Sequence, residues 1–319
     1  MRKQIAIFAA ALLLAASTVK AQDWPQHPVR MVVPFAAGGN TDLQARIVSE
    51  RLSAVFGQQF IVENRVGAAG AIAAEFVARA PADGYTLFFS PTPQIEVLPL
   101  IQKVNYDPIK DFAPISMVGT NPFILGVHAS VPANTLQEFV KYVRDRQGLL
   151  NYASGGAGSI GHLSAALFLA RAGLQMTHIP YKGGAPAVQD LVGGQVHMYF
   201  GNASELLQHA KSGKIKLLAV SSEKRAPQLP DLPAVAEVYK GFRTITWNGV
   251  LAPAGTPKPV IDRLAREIGR IVREPATAEK LEKIGVDPVG NTPEEFAAFI
   301  RSDTPLWRDA VKAADIKPE

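Results

Sequence analysis

Short apolar blocks alternate along the chain with helical stripes, and glycine-rich breaks separate them. Val29-Arg30-Met31-Val32-Val33-Pro34-Phe35 reads as a buried strand, broken at once by Ala36-Ala37-Gly38-Gly39-Asn40. A helix is predicted next, with its N-cap region at Asn40-Thr41-Asp42. Leu43, Ile47, Val48, Leu52 and Val55 then recur at helical spacing until Gly57. Phe60-Ile61-Val62-Glu63 reads as a second strand, Ala68-Ala69-Gly70-Ala71 as a second glycine turn, Ala73 to Ala80 as a helix and Tyr85 to Phe89 as a third strand. This β-α-β-α-β order implies parallel pairing with right-handed crossovers.

The same rhythm returns mid-chain. Leu149 to Ala153 is a strand, Gly155 to Gly158 a turn, Ile160 to Ala172 a helix and Met176 to Tyr181 a strand. Gly183-Gly184 is a further turn, Ala187 to Leu191 a helix and Val196 to Phe200 a strand. A second α/β lobe follows from this. Ile115 to Val127, apolar and too long for a turn, is predicted to be a strand shared as a hinge. The return crossing has two candidates, Lys216 to Ser221 and Ile245 to Ala252, on either side of a proline-rich stretch. The C-terminal part is helical, with a stripe of Ile261, Leu264, Ala265, Ile268, Ile271 and Val272, then a capped start at Thr292-Pro293-Glu294-Glu295. These helices are expected to cover the first sheet.

The N-terminus changes the meaning of the overall charge. Met1-Arg2-Lys3, the apolar run Ile5 to Ala16 and the small residues up to Ala21 have the order of a secretory signal peptide, with cleavage expected after Ala21. Its apolar run falls short of the roughly 20 residues that span a bilayer, and no later segment comes closer, so a membrane-embedded mature protein is not expected. Removing Arg2, Lys3 and Lys20 leaves 30 basic residues against 28 acidic, a balance of +2 instead of +5, and no basic stripe for nucleic acid. The chain has no cysteine, which excludes disulfides, thiolate metal sites and a lipidated cysteine. Its six histidines are scattered, so no metal is expected.

Three places join a strand end, a glycine turn and a helix start: Gly38 to Asp42, Gly67 to Gly70, and Gly155 to Ser159. Open N–H groups and the positive end of a helix dipole make each a potential carboxylate or phosphate cradle. Gly156-Ala157-Gly158-Ser159-Ile160-Gly161 also fits the dinucleotide fingerprint, but His178 to Lys182 stands where an acidic residue is required. A serine hydrolase would use Ser159 or Ser154 with His162 or His178; Ala157 sits where the nucleophile elbow needs glycine. Ser159 is read as an N-cap and His162 as a first-turn residue facing the cleft or simply a structural one. Tyr181 and Lys182 end a strand near that cleft, and Trp247 either walls the pocket or packs the hinge. Asp42 and Asp190, at or near helix starts, are read as loop-stabilising.

Taken in order, these motifs resemble the solute receptors of tripartite tricarboxylate transporters, the Bug-type periplasmic binding proteins. The marks are Val33-Pro34-Phe35 with Gly38-Gly39-Asn40-Thr41-Asp42, Glu63-Asn64-Arg65, Pro81-Ala82-Asp83-Gly84-Tyr85, Tyr152-Ala153-Ser154 with Gly158-Ser159 and His162, Pro180-Tyr181-Lys182-Gly183, Gly193-Gly194-Gln195-Val196, and Leu251-Ala252-Pro253 with Ala254-Gly255-Thr256-Pro257. The resemblance implies a type II, Venus-flytrap α/β fold. Each lobe would be a mixed, mostly parallel sheet flanked by helices, and two crossing segments would join them. The first lobe would hold residues 22–122 and 235–319, and the second 123–234.

It also implies a ligand carboxylate held by Phe35, Gly38, Gly39, Asn40, Thr41, Ala69, Gly70, Ser154, Gly158, Ser159 and His162. Ser90, Thr92, Tyr181 and Asn202, at or just beyond strand ends, complete the expected lining. No cofactor or nucleic acid is expected; the partners implied are a small carboxylate and the membrane subunits of a transporter, with the free receptor monomeric. Alternatives are a carboxylate sensor for a signalling system and a secreted α/β hydrolase. Departures from the family pattern stand at Ala37, Val66 to Gly70 and His197, where proline, Pro-Gly-Ala-Gly-Gly and aspartate are usual.

Overall fold

The computed structural model describes residues 24–181 and 183–316, so the leader read at 1–21 and Lys182 lie outside the described residues. The strands are β1 (Val29–Val33), β2 (Phe60–Asn64), β3 (Thr86–Pro91), β4 (Phe112–Pro122), β5 (Ile124–His128), β6 (Asn151–Ser154), β7 (Thr177–Pro180), β8 (Met198–Gly201), β9 (Ile215–Val220), β10 (Ile245–Pro253) and β11 (Asp287–Pro288). The helices are α1 (Asn40–Phe56), α2 (Ala71–Ala78), α3 (Leu98–Ile101), α4 (Leu136–Arg144), α5 (Ile160–Ala172), α6 (Gly184–Val192), α7 (Ala203–Lys211), α8 (Lys258–Val272), α9 (Pro275–Lys283) and α10 (Pro293–Ala313).

Two mixed sheets form the two lobes. The first runs β11-β4-β10-β3-β1-β2 and the second β7-β6-β8-β5-β9. Parallel pairing is confined to one side of each sheet, β2-β1-β3 and β7-β6-β8, where the β-α-β units lie. The remaining neighbours, including both strands beside the crossings, are antiparallel, so two of five pairings in the first sheet and two of four in the second are parallel, and neither sheet has the expected mostly parallel character. A chain that passes from one sheet to the other and returns brings in strands of opposite direction, which is the physical reason.

The predicted shared strand is two strands. β4 belongs to the first sheet and β5 to the second, with Phe123 alone between them. The two candidates for the return are its two ends, β9 in the second sheet and β10 in the first. Buried Ser221 ties the crossings together. Its N–H donates to Phe123 O at 2.8 Å, and its hydroxyl accepts from Phe123 N at 2.8 Å and donates to Thr244 O at 2.6 Å.

Capping explains why some elements match the sequence pattern closely. α5 starts after Ser159, whose hydroxyl accepts from His162 N–H, and stops at Gly173 in the left-handed conformation. The C-terminal helices depart from expectation. α8 packs on the first sheet, but the end of α10 leaves it: Trp307, Ala310 and Val311 share a core with Phe168, Leu169 and Phe200 of the second lobe. α10 therefore bridges the lobes instead of merely covering the first sheet.

Candidate functional site

At the carboxyl ends of β1 and β2, two neighbouring turns lead into α1 and α2. Residues 36–40 are exposed, and the turn is held from beneath by Asp42, which is 1% exposed. Its carboxylate accepts from Gly38 N–H at 2.8 Å, from Asn64 Nδ2 at 2.9 Å, and from Arg46 Nε and Nη2 at 2.9 and 3.0 Å. Asn64 Nδ2 also donates to Phe35 O at 2.8 Å. Burial pushes the Asp42 carboxyl up, but the hydrogen bonds from Arg46, Gly38 and Asn64 outweigh it and hold the group below its ordinary value.

The N-cap of α1 is Gly39, which has no side chain to cap the helix. The N–H groups of its first turn thus lack intrahelical acceptors and lie at the exposed end of the helix dipole. α2 begins after Gly70 with no side-chain cap, but its first N–H, on Ala71, donates to Ala68 O. The preceding turn is unusual: Gly67, Ala68, Ala69 and Gly70 have φ of 140°, 44°, 52° and 94°. Within it Gly70 N–H donates to Gly67 O at 2.8 Å. Gln94 braces it, with Nε2 donating to Ala69 O at 2.7 Å. A Cβ at Gly70 would lie 2.4 Å from Gln94 Nε2 and 2.9 Å from Pro34 Cβ, so only glycine fits.

Ala69 is strained where the usual family residue is glycine. An L-residue in the left-handed region costs about 1–2 kcal/mol, partly offset by about 0.4–1 kcal/mol of unfolded-chain entropy that alanine removes. Ala69→Gly is expected to raise the unfolding free energy by about 0.5 kcal/mol, measured as a higher urea midpoint at unchanged slope.

The facing turn of the second lobe is self-satisfied. Gly156 N–H donates to Ser154 Oγ at 3.2 Å, Gly158 N–H to His162 Nδ1 at 3.1 Å, and His162 N–H to Ser159 Oγ at 3.3 Å. Ser154 Oγ lies 2.7 Å from His178 Nε2 and 3.0 Å from Gly156 O. Ser154 is fully buried and His162 is 4% exposed. Of the three glycine turns read from sequence, the one before α1 thus leaves its helix start open, whereas the one before α2 already takes the first helical N–H, that of Ala71, on Ala68 O.

Asn40 of the first lobe and Asn202 of the second face one shared space. With Asn121, Pro122, Ala203, Ile284 and Gly285 they line a cavity of about 50 Å³. Asn40 Nδ2 donates to Ile284 O at 2.9 Å, and Gln44 Nε2 donates to Asn40 Oδ1 at 2.6 Å. Asn121, Ile284, Gly285, Gln94 and His178 are absent from the expected lining; they come from elements that no motif joins.

Other expected residues are committed elsewhere. Ser90 and Thr92 are fully buried: Ser90 Oγ donates to Pro91 O at 3.0 Å, and Thr92 Oγ1 accepts from Trp247 N–H at 2.8 Å. Both hydroxyls serve backbone near the hinge instead of the cleft. Trp247 is itself fully buried against Phe296, so it packs the core and walls no pocket. Tyr181 donates its hydroxyl to Asp190 Oδ2 at 2.6 Å, and burial together with that carboxylate pushes the phenol up to about 12. Asp190 lies in the last turn of α6 instead of at a helix start, so it steadies Tyr181 and no N-terminus. Among the described residues no group of three His, Cys, Asp or Glu could hold a metal ion, and no helix is long and apolar enough to cross a membrane.

Known proteins share this architecture. A family model described as tripartite tricarboxylate transporter family receptor matches residues 44–316. The chain belongs to this family. BugT of Bordetella pertussis is 35% identical, over 98% of this chain and 97% of that protein. A structure of an R. palustris protein with adipate is 36% identical with a TM-score of 0.78, covering 93% of this chain and 100% of that one. MatC from Rhodopseudomonas palustris with bound malate is 31% identical with a TM-score of 0.72, covering 90% and 100%. The fold of this receptor is therefore the two-lobed α/β fold of those relatives.

Proposed function

We propose that this receptor works outside the cytoplasm, binding one small mono- or dicarboxylate between its lobes and delivering it to the membrane subunits of a tripartite transporter. The observation that carries the reading is the open helix start at Gly39, shaped by the Asp42 clamp and set beside the glycine turn at Gly70. A carboxylate oxygen supplies the acceptors that the first turn of α1 lacks, and missing side chains allow it to approach. The relatives solved with adipate and malate support the same ligand class. Asn40 and Asn202 then approach each other from opposite lobes as the cleft shuts, which favours the closed form only when ligand adds contacts across it. The expected lining by Phe35, Thr41, Ala69 and Ser159 is part of the same proposal.

Ser154 and His178 stand at the distance a hydrolase would need. Yet Ser154 is fully buried, and no carboxylate orients His178 Nδ1 among the described residues. Isothermal titration of ligand-stripped protein against adipate, malate, citrate, aspartate and benzoate is expected to show one-to-one binding of at least one acid. The same acid should be recovered unchanged after hours of incubation. Absence of binding across the panel, or steady formation of product, would sink the receptor reading.

A further inference from the structure

The second-lobe turn is built on two stacked histidines. The rings of His162, on α5, and His178, on β7, lie 3.7 Å apart at an interplanar angle of 6°. Tyr152 of β6 extends the stack at 5.0 Å from His178. Each imidazole holds one end of the turn: His162 Nδ1 accepts from Gly158 N–H at 3.1 Å, and His178 Nε2 pairs with Ser154 Oγ at 2.7 Å. Gly158, at φ 74°, in turn abuts the first lobe, since a Cβ there would lie 3.1 Å from Ile101 Cδ1 of α3.

Proton bookkeeping fixes the state of His162. A nitrogen that accepts from an amide N–H carries no proton, so the ring is neutral with its proton on Nε2. A second proton on His162 would turn that acceptor into a donor facing Gly158 N–H. Two charged imidazoles 3.7 Å apart would also repel strongly in a buried setting. Among the described residues the titratable groups facing the pair are each other and Tyr152; on α5 the nearest charge is Arg171, paired with Asp309 of α10 at 3.5 Å.

We infer that His162 and His178 are positioning residues for carboxylate capture: they shape the Ser154–Gly158 turn that closes on the ligand, and His162 does so only as a neutral ring. The inference rests on the receptor reading above. Burial and the neighbouring His178 push His162 down to about 4, in keeping with a neutral ring. A folded value below the ordinary 6.5 means that this contribution is complete above about pH 6.5. It is lost as pH falls through about 4, where half of the folded rings carry a second proton.

Three variants read with two measurements test it. Asparagine places an acceptor near the position of Nδ1 and cannot take a charge, whereas leucine keeps bulk without an acceptor. With adipate as probe at pH 7.5, His162→Leu is expected to raise Kd at least tenfold, and His162→Asn to recover most of that loss. His178→Gln, which keeps a partner for Ser154, should cost less than threefold. The ratio of wild-type Kd to H162N Kd cancels the ligand's own protonation and should rise at least twofold between pH 7.5 and 4. The second measurement needs no ligand: the Gly158 amide resonance should titrate with acid in the wild type and stay fixed in H162N. An H162L that binds like wild type, an H162N no better than H162L, or a Gly158 amide that ignores pH would each overturn the inference. If wild type binds no adipate, the receptor reading loses its probe, and the amide titration alone decides the role of the stack.

Discussion

Asp303→Ala is expected to lower the unfolding free energy by about 3–5 kcal/mol, the usual result of stranding one member of a buried ion pair. Asp303 is fully buried on α10, and its Oδ1 accepts from Arg243 Nε at 2.9 Å while Oδ2 accepts from Trp307 Nε1 at 2.8 Å. Arg243 belongs to the return crossing, so this pair pins the bridging helix to the hinge. Glu96, on the turn after β3, faces the same cluster: Trp247 Nε1 donates to its Oε2 at 2.6 Å, and its Oε1 lies 3.2 Å from Thr304 Oγ1. Thr304 has one hydroxyl proton and a carbonyl acceptor, Ile300 O, at 2.8 Å. The remaining contact is satisfied if Glu96 is the donor, that is, protonated. Burial first, and then the charge of Asp303, push Glu96 well above its ordinary value, while Asp303 is pushed up by burial and held back by Arg243.

The sign of the pH effect follows. A carboxyl whose folded value is raised is more protonated folded than unfolded, so stability falls as pH climbs above the ordinary value of about 4.5. Glu96→Gln reproduces the neutral acid, with its amide donating to Thr304 and its oxygen accepting from Trp247. It should match wild type near pH 4.5 and exceed it at pH 8. Urea unfolding of wild type, D303A and E96Q at both values checks this, and an E96Q less stable than wild type at pH 8 would show that Glu96 works as an anion.

Local signals carried much of this fold, and distant polar pairing carried the rest. α5 was readable residue by residue because Ser159 and Gly173 mark both ends. β1 was read two residues too long, since Pro34 and Phe35 are apolar yet follow the last paired residue, Val33. The turn at Pro93–Val97 is a π-helical stretch, a form that needs tertiary support and has no sequence signature. Nothing local links Glu96 to Asp303 or α10 to the second lobe. In the site, glycine turns mark three candidate open helix starts, but which ones stay open depends on caps. Ser159 closes the third turn, Ala68 O takes the first N–H of the helix after the second, and nothing in Gly39 closes the first. Ser90 and Thr92 look like cleft hydroxyls at a strand end, yet Ser90 donates to its own neighbour, Pro91 O, and the partner of Thr92, Trp247 N–H, is visible only once β3 lies beside β10.

Asp42→Ala is expected to weaken carboxylate binding by about 10- to 100-fold, or about 1.4–2.7 kcal/mol. The substitution leaves Gly38 N–H, Asn64 Nδ2 and Arg46 without the carboxylate that gathers them, so the exposed turn at 36–40 loses its fixed shape. A preformed cradle costs no ordering when ligand arrives, whereas a loose one does. Simple charge reasoning points the other way, because removing an anion beside an anion site should help. Asp42→Asn separates the two effects. If repulsion dominated, D42N would bind more tightly than wild type. The geometry opposes this, since the Asp42 charge is already balanced by Arg46 in a two-pronged contact 2.9 to 3.0 Å long, and an amide cannot accept all four of its hydrogen bonds. D42N should therefore fall between wild type and D42A. Because the Asp42 carboxyl is held below its ordinary value, its contribution is present above about pH 4 and is lost only as pH drops through the lowered folded value. Titration with adipate at pH 7.5 and 5.5 should give the same ranking at both, and a D42A within threefold of wild type would mean that the turn keeps its shape without the clamp.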